Sequence, residues 1–260
     1  MRAARHKERL SHPHAMPRDA APPLWRLLLA TGRALSQLDR RAAVAQAYQL
    51  CRSVSVFFIV VVMSCVGAIL VLQSASQIKR LLGDMSLIGP AFLQLVVREF
   101  GPTIVALMVA ARYGAGVAAE LGAMRISEQI DALRMTGAEP VPYLVLPRVV
   151  GGVVGMIPLA IFGTAVAFAA GGVTAQHVFG IGWDTYAGTR LVSLDDVFLG
   201  LAKAGAFGAA VPLVACQAGL ATRGGAPGVG RAATQAVIGG SILVIALDFV
   251  LGALGYLAFG

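Results

Sequence analysis

Ser53 to Ile78 reads SVSVFFIVVVMSCVGAILVLQSASQI, 26 residues without a charged side chain. About 20 apolar residues in a helix cross the hydrocarbon core of a bilayer, so this stretch predicts a first membrane span at about 53–76. Lys79, Arg80, Gly83 and Asp84 then predict a short exit loop. Leu87 to Ala119 is a second long apolar region, interrupted by Arg98, Glu99 and Arg112, and predicts a span at about 87–118. Val149 to Trp183 holds 35 residues without Asp, Glu, Lys or Arg, more than one crossing needs. A third span is expected at about 145–171, with Gly171 and Gly172 opening a loop. That loop contains Trp183, Asp184, Tyr186 and Arg190, residue types that gather where apolar core meets water. Val197 to Ala221 predicts the fourth span and carries Lys203. Thr222 to Arg231 reads as a glycine-rich turn, and a fifth span at about 234–258 contains Asp248.

Upstream of the first span, residues 1–23 read as a flexible basic tail. Leu24, Leu28, Leu35 and Leu38 recur at helical spacing with Arg26, Arg33, Arg40 and Arg41 between them. Residues 24–52 are therefore expected as an amphipathic helix in the membrane interface, with Trp25 as its anchor. A signal peptide does not fit, because the apolar patch at Leu27 to Ala30 is too short and the next one is a full span. The fold class expected is an all-α integral membrane protein: an interfacial helix, five spans, and a short helix at about 127–136 between the second and third.

Composition agrees. Of 260 residues 57% are hydrophobic and 13% charged, about half the charge of a soluble domain, and the mean hydropathy is +0.77. A disordered chain and an ordinary soluble enzyme are thereby excluded. The formal net charge is +8, but residues 1–52 carry ten Lys/Arg against three acids, and the remainder eleven against ten. The basic character belongs to the N-terminal flank, which suits a cytoplasmic membrane surface with anionic lipid. A nucleic-acid module would need a folded basic face with interleaved aromatics, and none is present. With the N-terminus cytoplasmic, inside segments hold fifteen Lys/Arg and outside segments three. This orientation leaves the C-terminus outside.

Catalytic and metal chemistry find no footing. Cys51, Cys65 and Cys216 are far apart, with Cys65 and Cys216 in apolar runs; His6, His12 and His14 lie in the tail, and His177 has no companion ligand nearby. Gly224 to Gly230 lacks the Lys-Ser/Thr of a phosphate-binding loop, so the chain is not expected to hydrolyse ATP or to hold a cofactor. Charges inside spans remain. A mid-bilayer Arg costs roughly 2.5–3.5 kcal/mol on insertion scales, so Arg98 and Glu99 each require a partner or a wet cavity. As sequence neighbours they point about 100° apart on an α-helix and are not expected to face each other. Pro102 removes the hydrogen bond to the Arg98 carbonyl and Gly101 adds pliability, which marks a flexure. In Ser127 to Gly137, SEQIDALRMTG, Ser127 is expected to cap a short helix. Gly137 is expected to end it, with Pro140 blocking its continuation. Ile130 and Leu133 form one face, and Glu128 and Asp131 another. On the cytoplasmic side this is a short amphipathic helix offered to a soluble partner.

The run REFGPTIVALMVAARYGAGVAAELGAMRISEQIDALRMTGAEPVPYLVLPR, Arg98 to Arg148, closely resembles the signature of the MlaE/YrbE family of ABC-transporter permeases. Gly228 to Leu254 is also similar to that family, and the resemblance covers roughly Leu24 to Phe259. It implies a homodimer in the bacterial inner membrane, two cytoplasmic ABC ATPase subunits, a periplasmic hexameric MCE-domain protein and, in some systems, a STAS-domain protein. ATP would be used by the partner alone. The implied activity is movement of phospholipid or related lipids between inner and outer membranes, maintaining outer-membrane lipid asymmetry; relatives are linked to sterol or fatty-acid import. It further implies that Glu128, Gln129, Ile130, Asp131, Ala132 and Leu133 match the coupling helix that docks into the ATPase. Arg98 and Glu99 match the charged pair at the lipid cavity, and Lys203 falls in a matching segment. Gly101 and Pro102 would then be the hinge. A secondary transporter of a small solute is the competing reading; it would need polar ion sites near mid-membrane, for which only Glu99 and Asp248 qualify.

Overall fold

A computed structural model describes residues 23–54, 56–81, 87–188 and 190–259. The expectations for the basic tail, its histidines, and the Gly83–Asp84 exit fall outside these residues. Among the described residues the chain is helical throughout its ordered elements. In order these are α1 (Leu24–Arg33), α2 (Arg40–Ser53), α3 (Val56–Leu81), α4 (Ile88–Ile126), α5 (Gln129–Met135), α6 (Val141–Phe179), α7 (Trp183–Tyr186), α8 (Leu194–Leu220) and α9 (Gly225–Phe259). Helices α3, α4, α6, α8 and α9 are long and apolar enough to cross a membrane. The protein is thus an all-α, multi-pass membrane protein, as its sequence predicts.

Several boundaries differ from expectation for identifiable reasons. The N-terminal helix is two helices. Asp39 accepts a hydrogen bond from the backbone N–H of Arg41 and starts α2 afresh, so the leucine stripe is broken, and the buried anchor of α1 is Leu27. Helix α6 runs through Gly171 and Gly172 to Phe179, because those glycines lie under Tyr186 and Trp183, where side chains would collide. It stops at Gly180, whose φ of 68° is left-handed. The glycine-rich turn shrinks to residues 222–224, and α9 begins at Gly225. Lys79 and Arg80 belong to the backbone of α3 rather than to a loop.

The core is built on α8, the most buried span, which packs against α4, α6 and α9; α3 and α2 lie against α6, and α9 is the span least buried. Small residues set these distances. A Cβ on Gly152 of α6 would lie 2.2 Å from the Gly208 carbonyl of α8, so the two backbones meet directly. At one end of the bundle α7 plugs the gap between α4 and α6. Tyr186 stacks on Phe168 with ring centroids 4.8 Å apart, and its hydroxyl donates to the Phe168 carbonyl at 3.1 Å. Burial pushes this phenol above its ordinary pKa, so it stays protonated and donating. The short helix α5 lies at the other end.

Candidate functional site

Helix α4 is not uniform. Over Val96–Phe100 it widens into a π-helical turn, an irregularity common at functional sites. Pro102 follows and lacks the N–H a regular helix would use. Within this turn Arg98 Nε lies 3.7 Å from Glu99 Oε1. The two neighbours therefore do meet, contrary to the expectation from α-helical geometry. The wider turn lowers the angle between successive residues, and the long Arg side chain closes the rest. Gly101 faces Thr164 of α6, whose hydroxyl occupies the place of a Cβ, so this glycine is required for close approach; that geometry leaves its role as a flexure to be tested.

Around this turn three helices contribute charge. Lys203 of α8 is completely buried and ion-pairs with Glu99 and with Asp248 Oδ1 of α9, the latter at 2.9 Å. Asp248 also accepts from the Thr103 hydroxyl at 2.9 Å. Arg98 Nη1 lies 3.5 Å from Asp196 Oδ1, and Gln94 Nε2 donates to Asp196 Oδ2 at 3.2 Å. Asp196 is fixed by a reciprocal cap with Ser193 at the start of α8. The cluster holds two cations (Arg98 and Lys203) and three anions (Glu99, Asp196 and Asp248). Arg98 lies ten residues into α4 and Lys203 nine into α8, about 15 Å from the helix starts at 1.5 Å per residue, while Asp196 lies in the first turn of α8.

The sequence singled out Arg98, Glu99, Lys203 and, less strongly, Asp248; the structure brings all four together. It does not offer Lys203 to a ligand. That ammonium has no exposed surface and is held by two carboxylates, so Arg98, whose side chain is 24% exposed, is the cation of this group that a ligand can reach. Arg98 lines a polar cleft of about 130 Å³ with Gln94, Ser193, Asp195 and Asp196. A separate, apolar groove of about 280 Å³ lies between α4, α6 and α8, lined by residues including Val97, Pro102, Ile161, Thr164, Phe168 and Leu201. The two share no lining residue, and Gly200, packed on the Val97 carbonyl, belongs with Val97 to the wall of the apolar groove. Asp196, Gln94 and Thr103 were not anticipated. The spacing Ser193-x-x-Asp196 was the available signal, since it is a cap pattern that fixes where a carboxylate sits. No group of three His, Cys, Asp or Glu able to hold a metal occurs among the described residues.

At the opposite end, α5 is shorter than expected. Ser127 does not cap it: its hydroxyl bonds back to the Ala123 carbonyl at 2.9 Å as the last turn of α4. Glu128 takes the entry position with a left-handed φ of 59° and no side-chain cap. This tight reversal lets Gln129 start a new helix directly. Ile130 is buried, while Glu128 and Asp131 face outward and Asp131 pairs with Arg125 and Arg134 at 3.0 and 3.3 Å. Gly137, at φ 83°, ends the helix, with Ala138 N–H bonded to the Leu133 carbonyl and Gly137 N–H to that of Arg134. Gln129, Ala132 and Leu133 complete the short helix and lie far along the chain from the charged cluster.

Comparison with known proteins fits this architecture. A family model described as Permease MlaE matches residues 43–254. A protein of Rickettsia bellii named "Probable ABC transporter permease protein" is 36% identical over 187 residues, 71% of this chain and 72% of that protein. A Synechocystis protein of the same description is 34% identical over 171 residues, 65% of each chain. The Arabidopsis thaliana "Protein TRIGALACTOSYLDIACYLGLYCEROL 1, chloroplastic" is 34% identical over 188 residues, 72% of this chain and 53% of that protein.

Proposed function

The chain belongs to the MlaE permease family, and we propose that it is the membrane subunit of an ABC transporter moving phospholipids or related lipids between inner and outer membranes. In this reading it sits in a bacterial inner membrane as a homodimer, N-terminus cytoplasmic and C-terminus periplasmic. Two ATPase subunits engage α5, and an MCE-domain hexamer, with a STAS-domain protein in some systems, completes the machine. Its role is to maintain outer-membrane lipid asymmetry. The name of the plant relative, built on a galactolipid, supports a lipid substrate.

The observation that carries the reading is the charged cluster set among three membrane-spanning helices, beside an apolar groove. Placing charges within membrane spans is expensive unless they are paired, and a scaffold would achieve the same packing with apolar side chains. Paired as they are, they form a fixed polar station. The accessible Arg98 can make a charge-assisted contact with a phosphate oxygen, while Lys203 holds Glu99 and Asp248 in place from behind. The apolar groove suits acyl chain. The ATP-driven step enters through α5 from the partner subunit, in keeping with a Gly224 to Gly230 segment that lacks the Lys-Ser/Thr of a phosphate-binding loop. The Gly101–Pro102 segment, directly after the π-helical turn, is the flexure through which α4 would reshape the station.

The test is purification in mild detergent followed by mass spectrometry of protein and lipid together. Recovery of an ATPase subunit with bound phospholipid is expected. Sterol or fatty acid in its place would move the substrate within the family, and recovery of neither ATPase nor lipid would overturn the reading in favour of a solute transporter.

A further inference from the structure

The lipid station leaves unused a second polar set at the α5 end, a buried guanidinium paired with an exposed carboxylate. Glu120 lies on α4 six residues before Ile126 ends it, and Arg148 lies on α6 seven residues after Val141 begins it. Between them the chain leaves the bundle, forms α5 and returns. Arg148 is 5% exposed. Its Nη2 donates to Glu120 Oε1 at 2.9 Å, and its Nη1 donates to the Leu144 carbonyl at 2.6 Å. The guanidinium thus ties the first, π-helical turn of α6 (Val141–Val145) to α4. Its third nitrogen, Nε, is buried without a hydrogen-bond partner among the described residues. Helix α2 closes on the same level: Tyr113 of α4 donates to Gln46 Oε1 of α2 at 3.1 Å, and a Cβ on Gly151 of α6 would lie 2.6 Å from the Ala43 carbonyl.

The Glu120 side chain is 46% exposed, so its pair with the buried Arg148 adds little net stability, but it holds α4 and α6 in one register. Here the register specified is that of the two helix ends carrying α5. Ile130, buried, and the Arg125–Asp131 pair then fasten α5 to the end of α4. We propose that Glu120 and Arg148 are positioning residues that make α5 and the adjoining ends of α4 and α6 one rigid lever. A push on α5 then passes along α4 from Glu120 to Glu99, 21 residues away on that helix, instead of being absorbed by bending between α4 and α6. This rests on the transport reading given above.

The test uses the transporter complex as purified, reconstituted in vesicles of phosphatidylethanolamine and phosphatidylglycerol with a fluorescent phosphatidylethanolamine as probe. ATPase copurification, ATP hydrolysis, melting midpoint and lipid moved per ATP are read separately. Glu120→Leu with Arg148→Met removes both charges and leaves neither unpaired. It is expected to retain the partner, ATP hydrolysis and a melting midpoint near that of the parent, while lipid moved per ATP falls at least fivefold. A merely structural pair would show the opposite split, with transport per ATP unchanged, and that result overturns the proposal. Should the double variant fail to fold, Arg148→Lys decides. It keeps the charge and loses the fork to Leu144, so a two- to threefold loss per ATP is expected, and an unchanged ratio overturns the proposal. A parent complex that neither carries an ATPase nor moves the probe refutes the transport reading instead.

Discussion

Replacing Lys203 with Met removes the ammonium that Glu99 and Asp248 share. At the 2.9 Å separation from Asp248 the pairwise attraction is about 6 kcal/mol at an effective dielectric near 20, and the desolvation of a fully buried Lys offsets part of it. Breaking such a pair from one side costs roughly 3–5 kcal/mol, because the remaining charges are stranded. In Lys203→Met three carboxylates face a single cation, Arg98. Asp248→Asn is milder: Lys203 keeps Glu99, the Thr103 hydroxyl keeps an acceptor, and the loss is that of one charged hydrogen bond, about 1.5–3 kcal/mol. Adding Glu99→Gln and Asp248→Asn to Lys203→Met leaves Arg98 against Asp196 alone, a balanced pair. The triple variant is therefore expected to be more stable than Lys203→Met. The assay is the temperature at which half the detergent-purified protein leaves the monodisperse peak. At roughly 2–4 °C per kcal/mol, Lys203→Met should fall by about 10 °C and the triple variant should recover several degrees. Additive losses, with the triple variant the least stable, would refute the assignment of Lys203 as the neutralising centre.

Gly152→Ala drives a methyl into the Gly208 carbonyl and should destabilise by about 1–3 kcal/mol, whereas Gly205→Ala, whose Cβ meets nothing within 4 Å, should melt as the parent does. Glu128→Lys should weaken ATPase copurification and transport while leaving membrane insertion intact; Glu128→Gly, which suits the left-handed φ of 59°, should raise the melting midpoint by the equivalent of about 1 kcal/mol. Tyr186→Phe keeps the ring stack and loses the hydrogen bond to the Phe168 carbonyl, at about 1 kcal/mol, whereas Tyr186→Ala also empties the ring site and should cost about 3–5 kcal/mol.

Much of the site could be read in advance because a charge in an apolar run announces itself. Arg98, Glu99, Lys203 and Asp248 stand out one by one on cost alone. Their pairing does not, since Glu99 and Lys203 are 104 residues apart and only the packing of α4, α8 and α9 makes them neighbours. Asp196 escaped notice because it lies at a predicted span boundary, where acids are ordinary. Arg148 reads in the sequence as one more basic residue near a span end, yet it is buried and reaches the exposed Glu120 with its Nη2. The mismatch at Ser127 has a similar origin. Cap patterns report which residue can bond a helix start, and the left-handed turn at Glu128 made that bond unnecessary.

Chain composition and periodicity by themselves determined the solvent, the number of crossings and the helical class, because a bilayer core leaves backbone polar groups no partner outside the helix or a closed barrel. That is a local requirement, met residue by residue. Tertiary structure alone decided that two cations and three anions form one station, that Lys203 is sealed inside it, and that a guanidinium ties the ends of the two helices bearing α5. Those outcomes depend on which helix faces which, set by close backbone contacts such as Gly152 on Gly208, and no spacing within a single segment encodes them.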